Sequence, residues 1–215
     1  MRPTSSAYSD RTDAGNRLAG ALGSYRGRGD VVVVGLTRGG VPVAARVAAA
    51  LHAPLDIMVI RKLGVPWAPE VAFGAVGPGG VAVHNPDVEA HLSNADVERV
   101  TQEESEELAR REERYRGGRP GVPLEGREVI VVDDGLATGA TARAAVAVAR
   151  RSGAARVVVA VPVGATEAVS LLQGEADEVI CPLVPPAFGA VSRYYDDFPQ
   201  TTDDEVVALL SSVTA

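Results

Sequence analysis

The chain has 215 residues, 46% of them hydrophobic and 23% charged, and a formal net charge of −7. That length and balance suit one folded domain with a sizeable core and exclude a disordered chain. The acidic balance argues against a protein built to coat nucleic acid. Of the 21 basic residues only Lys62 is a lysine, and aromatics are scarce. Where the exceptional lysine and the few rings fall therefore carries information. Cys181 is the one cysteine, so no internal disulfide can form; it reads as a packed thiol in a reducing, cytoplasmic compartment. His52, His84 and His91 lie at no metal-ligand spacing. No apolar run reaches the ~18 residues a membrane span needs, and the polar stretch from Met1 to Gly15 is not a signal peptide.

In chain order, Ala14, Leu18 and Leu22 recur at helical spacing, which predicts a helix over 10–22. Val31 to Val34 form an unbroken β-branched run, which suits a strand covered on both faces. Gly35 to Gly40 read as a glycine-rich turn, and 41–51 as a helix with Pro42 in its first turn. Leu55 to Ile60 read as a second buried strand, and Arg61 to Pro69 as a loop. Val71 to Val76 and Val81 to His84 flank Gly77-Pro78-Gly79-Gly80 as a hairpin. Residues 87–116 form a charged helical insert with a break near Ser93-Asn94, where Asn94 could cap the second part. Its charges read mainly as a solvated face. A Gly/Pro-rich linker follows over 117–126. Strands are expected over 128–132, 156–161 and 178–181, alternating with helices over 138–151 and 166–172, and a closing helix over 204–213. This alternation predicts an α/β fold with a mainly parallel central sheet flanked by helices. Ligands in such folds sit at the carboxyl ends of the strands.

The most specific segment runs from Val129 to Thr141. Four apolar residues end in Asp133 and Asp134, and a turn of small residues with two threonines then enters a helix. Such a turn gathers backbone N–H groups, hydroxyls and a helix N-terminus, which is a phosphate site. Adjacent carboxylates would repel that phosphate unless they face sugar hydroxyls or a magnesium ion. The segment lacks the Lys-Ser/Thr of a Walker loop and the glycines of a dinucleotide fingerprint.

This string, Asp-Asp-Gly-Leu-Ala-Thr-Gly-Ala-Thr, resembles the binding motif for 5-phosphoribosyl 1-pyrophosphate (PRPP) in type I phosphoribosyltransferases, the adenine enzymes in particular. The resemblance implies that Asp133 and Asp134 bind the ribose hydroxyls. It also implies that Ala137, Thr138, Gly139, Ala140 and Thr141 hold the 5′-phosphate. Ala140 departs from the family's usual glycine, and Ala137 stands where some purine enzymes carry a base-contacting aspartate. Gly35 to Gly40 resemble the family's pyrophosphate loop, with Thr37, Arg38, Gly39 and Gly40 as its contacts and a cis peptide between Thr37 and Arg38. Arg61-Lys62 resembles the pair that precedes the family's mobile loop, so Lys62 would also face the pyrophosphate and 63–70 would be a lid. The match covers roughly residues 30–185. A Tyr-Tyr-Asp-Asp-Phe segment extends it toward an uncharacterised bacterial branch, so that 1–215 form a single phosphoribosyltransferase domain with a small hood segment about 182–200.

The implied reaction transfers the phosphoribosyl group from PRPP to a nucleobase or another nitrogenous small molecule, with Mg²⁺ held near Asp133 and Asp134 mainly through PRPP and water. Catalytic candidates are Lys62, Arg61, Asp133, Asp134 and Glu70, the last as a lid acid. Trp67, Tyr194, Tyr195 and Phe198 are candidate acceptor contacts, since a flat base stacks on aromatic platforms; packing of a small core is the competing account of these rings. A PRPP-sensing regulator that binds nucleic acid, and a phosphate-ester hydrolase, remain alternatives. The insert over 87–116 is a candidate homodimer contact, and no membrane partner is expected.

Overall fold

Val31 to Val34 lie in the first strand, β1 (Val31–Leu36), and all are buried. The computed structural model describes residues 7–212. β1 is flanked by β2 (Leu55–Met58) and β6 (Glu128–Val132), followed by β7 (Arg156–Ala160) and β8 (Glu178–Ile180), in the order β2-β1-β6-β7-β8 with every pairing parallel. The unbroken valine run has a direct cause: both faces of the sheet are covered. Val32, Val34, Val129, Val131, Val157 and Val159 face one core with α5 (Ala140–Arg151) and α6 (Thr166–Gln173). Val31, Val33, Ile130, Val132 and Val158 face the other, with α1 (Arg11–Ala21) and α2 (Gly40–Leu51). Alternate residues of one strand thus feed opposite cores. α1 begins where the Asp10 side chain accepts from the Asp13 N–H, an N-cap.

A second layer departs from expectation. Residues 61–69 are not a loop. Arg61–Val65 form β3, a turn falls at Pro66-Trp67, and β4 spans Ala68–Gly77. With β5 (Val81–His84) they make an antiparallel sheet, β3-β4-β5. The prolines suggested a loop, but Leu63 and Val65 are buried while Lys62 is exposed. That alternation is the strand signal. Pro66 stands in the turn, and register shifts around Gly64 accommodate the irregularity. The hairpin expected around 77–80 is present, with Gly77 paired to Val81.

Short α3 (Pro86–Glu89) and long α4 (Asn94–Arg116) lie against this small sheet, with Ser93 rather than Asn94 as the cap. α7 (Asp203–Ser212) closes the layer; position 213 of the expected final helix lies outside the described residues. Phe73, Val76, Val100, Leu108, Val206 and Leu210 form its core, joined to the main sheet through Ile57 and Val41. Arg116 pins the end of α4 to β2. Its guanidinium donates to both oxygens of buried Asp56, which also accepts from the Val122 N–H at 2.8 Å. Cys181 follows β8, and burial pushes its thiol up to about 11, which disfavours the reactive thiolate at neutral pH. Among the described residues no helix is long and apolar enough to cross a membrane.

Candidate active site

Asp133 and Asp134 stand immediately after β6, at the carboxyl edge of the parallel sheet. Burial, and then the neighbouring Asp134 charge, push the Asp133 carboxyl well above the ordinary carboxylate range. Burial also raises Asp134, but the Arg11 guanidinium pulls it back. Arg11 Nε donates to Asp134 Oδ2 at 2.9 Å, Nη2 reaches the same oxygen at 2.9 Å, and Nη1 donates to the Pro199 carbonyl at 2.6 Å. The guanidinium lies 3.8 Å from the centre of the Phe198 ring.

The turn after β1 packs directly on the acid pair. A Cβ at Gly39 would collide with Asp134 Oδ2, and one at Gly40 would lie 2.5 Å from the Val132 carbonyl oxygen. Only glycine permits this approach of the two strand ends. The Thr37–Arg38 peptide is cis, at the position implied by the resemblance.

Beyond the acids, the chain is clamped before it enters α5. The Leu136 N–H donates to the Val163 carbonyl at 2.9 Å, and the Ala165 N–H donates to the Leu136 carbonyl at 2.8 Å. Gly139 takes a φ of 74°, which turns the backbone into the first residue of α5. Ala137, Thr138, Ala140 and Thr141 are exposed on this turn. The first N–H groups of a helix have no intrahelical partner, so this twelve-residue helix presents donors and a positive dipole end at its exposed start, where the Ala140 N–H donates to Thr138 Oγ1 at 3.4 Å.

A cavity of about 400 Å³ opens beside the acid pair, lined by Arg11, Arg38, Gly39, Asp133, Asp134 and the stretch Phe198 to Thr201; Ala137 to Thr141 are not part of its lining. The structure therefore gathers Arg38, Gly39, the acid pair and Phe198 around one space. It leaves other candidates elsewhere. Arg61 is paired with Glu104 of α4 at 2.6 Å, while Lys62 and Glu70 are exposed on β3 and β4. Trp67 is 66% exposed at the turn between those strands. Tyr195 is buried, its ring near Tyr8 and Phe198, and its hydroxyl donates to the Asp134 carbonyl at 2.6 Å. Tyr194 stacks on Phe188, and its hydroxyl donates to the Phe188 carbonyl at 2.8 Å.

The sequence matches the phosphoribosyl transferase domain over residues 6–199. The chain belongs to that family. The phosphoribosyl transferase domain described here is 54% identical over 205 residues to Putative phosphoribosyl transferase Rv0571c of Mycobacterium tuberculosis. It has the same identity to the corresponding protein of strain CDC 1551, MT0597. The alignment covers 94% of this chain and 46% of each relative, so the chain spans about half the length of the curated relatives it matches. A crystal structure of TT1426 from Thermus thermophilus is 45% identical, superposes with a TM-score of 0.87, and covers 95% of this chain and 98% of that one.

Two contacts around the acid pair were not legible in the sequence, the Arg11 ion pair and the hydroxyl bond of Tyr195, itself a candidate acceptor contact. Arg11 lies 123 residues from its partner Asp134, in a helix with no motif of its own. Tyr195 was visible as an aromatic, but its hydroxyl bond to the Asp134 backbone depends on how residues 195–200 return across the N-terminal segment. That return is fixed by the paired Tyr8 and Tyr195 backbones.

Proposed function

We propose that this phosphoribosyl transferase domain moves the 5-phosphoribosyl group of PRPP to a nitrogenous small molecule, a nucleobase or an amine, with release of pyrophosphate. One observation carries the reading. The part-buried acid pair and the glycine turn pressed against it line one cavity, and the small-residue entry to α5 follows the acids directly in the chain. A ligand with sugar hydroxyls between two phosphate groups satisfies all three. Asp133 and Asp134 accept from the ribose hydroxyls. Ala137 to Thr141 hold the 5′-phosphate with the start of α5. Thr37 to Gly40 hold the pyrophosphate, and Arg38 neutralises its charge. The bond from ribose C1 to the pyrophosphate oxygen breaks as the bond from C1 to the acceptor nitrogen forms. The protein acts by positioning and by charge stabilisation of the leaving group.

The donor set also fits magnesium. Two carboxylates provide hard oxygens, and no group of three or more candidate ligands occurs among the described residues. Asp133 and Asp134 would hold the ion together with substrate oxygens and water, as magnesium prefers. When bound it supplies neutralisation of the departing pyrophosphate.

The β3–β4 hairpin supplies most of the remaining groups of this reading, and the C-terminal segment supplies Phe198. Lys62 and Arg61 face the pyrophosphate once the turn folds over the cavity, Trp67 and Phe198 offer rings to the acceptor, and Glu70 takes the acceptor's proton. Lys62→Arg is therefore expected to lower turnover about 10-fold with no change in melting temperature, because a planar guanidinium does not replace a compact ammonium on one phosphate oxygen. Steady-state kinetics indistinguishable from the parent would remove Lys62 from the site.

The decisive measurement is calorimetric titration of PRPP with and without magnesium, followed by pyrophosphate release across purines, pyrimidines and amines. Saturable PRPP binding and release with one acceptor class are expected. No heat at millimolar PRPP would overturn the reading.

A further inference from the structure

Arg38 borders two cavities. Besides the one over the acid pair, it lines a smaller one of about 290 Å³, with Glu107, Arg110, Arg111, Arg114 and Asp203. These residues come from three separate elements: the β1–α2 turn, the second half of α4, and the first residue of α7. We propose that this second cavity is a binding site for free phosphate. We further propose that phosphate bound there competes for Arg38 with the ligand in the neighbouring cavity. The competition rests on the PRPP reading above; the phosphate site itself does not.

The charge balance favours an anion. Four guanidiniums meet two carboxylates across the cavity. Arg110 and Arg111 share Glu107, while Arg114 and Arg38 share Asp203. Complementing the dipole at the helix end accounts for Arg114 and Arg116, in the last turn of α4. It does not account for Arg110, farther back, or for convergence with Arg38 from another part of the chain. Arg110, Arg111 and Arg114 share one helical face, and guanidinium forks match phosphate oxygens. The volume lies at the small end of ligand sites, which suits an inorganic anion and not a whole nucleotide.

The existing pairs are easily exchanged. The Arg110 and Arg114 side chains are 77% and 59% exposed, and such surface pairs hold little net energy. Asp203 is the switch point. It accepts from the Tyr115 hydroxyl at 2.7 Å and pairs with Arg114 at 2.6 Å, but with Arg38 only at 3.4 Å. Arg38 thus has the loosest hold and can turn to an anion on either side. Two ligands that draw on one guanidinium weaken each other's binding reciprocally.

The test titrates inorganic phosphate into the full chain, alone and with PRPP, against sodium chloride of equal ionic strength. The comparison variants are Arg110→Gln/Arg114→Gln, which changes exposed residues outside the proposed machinery, and Asp203→Asn. Phosphate is expected to bind the parent, about 10-fold more weakly the double variant, and more tightly Asp203→Asn, which lacks the competing carboxylate. Phosphate should raise the Kd for PRPP about 5-fold more in the parent than in the double variant. Equal phosphate binding by parent and folded double variant would place the anion in the PRPP cavity and overturn the proposal, as would an equal effect of chloride. If PRPP does not bind at all, the phosphate titration of the free protein still decides the site, and the failure belongs to the PRPP reading.

Discussion

Asp133→Asn is expected to raise the melting temperature of the domain in metal-free buffer and to lower pyrophosphate release about 100-fold. Two carboxylates on consecutive residues stand at the end of a fully buried strand. Burial and the Asp134 charge hold the Asp133 carboxyl well above its ordinary value of 3.8. A folded-state pKa above the unfolded one means that the folded chain binds more protons, so stability falls as pH rises past the unfolded value. The penalty is absent below about pH 4, where both states keep the proton, and is present at neutral pH. Asparagine removes the charge and keeps the shape. Its amide oxygen can still accept from the Asp134 N–H, which lies 2.9 Å from Asp133 Oδ1 in the parent. A gain on the order of 1 kcal/mol corresponds to about 2–4 °C for a chain of this length. Thermal melts of parent and variant should differ at neutral pH and coincide in acid. A variant less stable than the parent at neutral pH would show that the acid pair is held without cost. That would remove one argument for its retention as a ligand site.

The same residues show how far sequence reasoning reaches. Val31 to Val34 and Val129 to Val132 are legible as buried strands because only a sheet covered on both faces accepts apolar side chains in both directions. Asp133 and Asp134 are legible because acids at the end of such a strand are costly unless they meet a ligand. Gly39 and Gly40 could be read as a turn, but not as a surface pressed on Asp134 and on Val132–Asp133 respectively; that contact joins elements nearly a hundred residues apart. The hairpin over 61–77 was obscured by Pro66 and Pro69, whose local preference for a turn outweighed the weaker alternation of Leu63 and Val65. Arg11 left no trace, since a salt bridge across the fold imposes no period or spacing on the chain. Local pattern thus located the acids and the small-residue turn into α5, and tertiary return of the N- and C-terminal segments supplied what holds the acids in place.

Arg11→Met tests that supporting role. The variant is expected to bind PRPP about 10-fold more weakly and to lose about 2 kcal/mol of stability. The Arg11 and Asp134 side chains are only 11% and 15% exposed. Without the guanidinium, Asp134 stays desolvated beside Asp133 with no cation to offset either the burial or the repulsion. Methionine keeps an unbranched apolar stem against Phe198, so the loss reports charge more than packing. Arg11 has a second duty, however, because it also donates to the Pro199 carbonyl and covers the Phe198 ring. A double-mutant cycle with Asp134→Asn separates the two. If Arg11 acts through Asp134, the second substitution costs little once the first is made, with a coupling of about 1–3 kcal/mol. PRPP affinity should then track the same coupling. An additive cycle would instead assign Arg11 to fastening residues 198–200 over the cavity. In that case Asp134 would keep its geometry from the Tyr195 hydroxyl on its carbonyl, and Tyr195→Phe would become the substitution that loosens the acid.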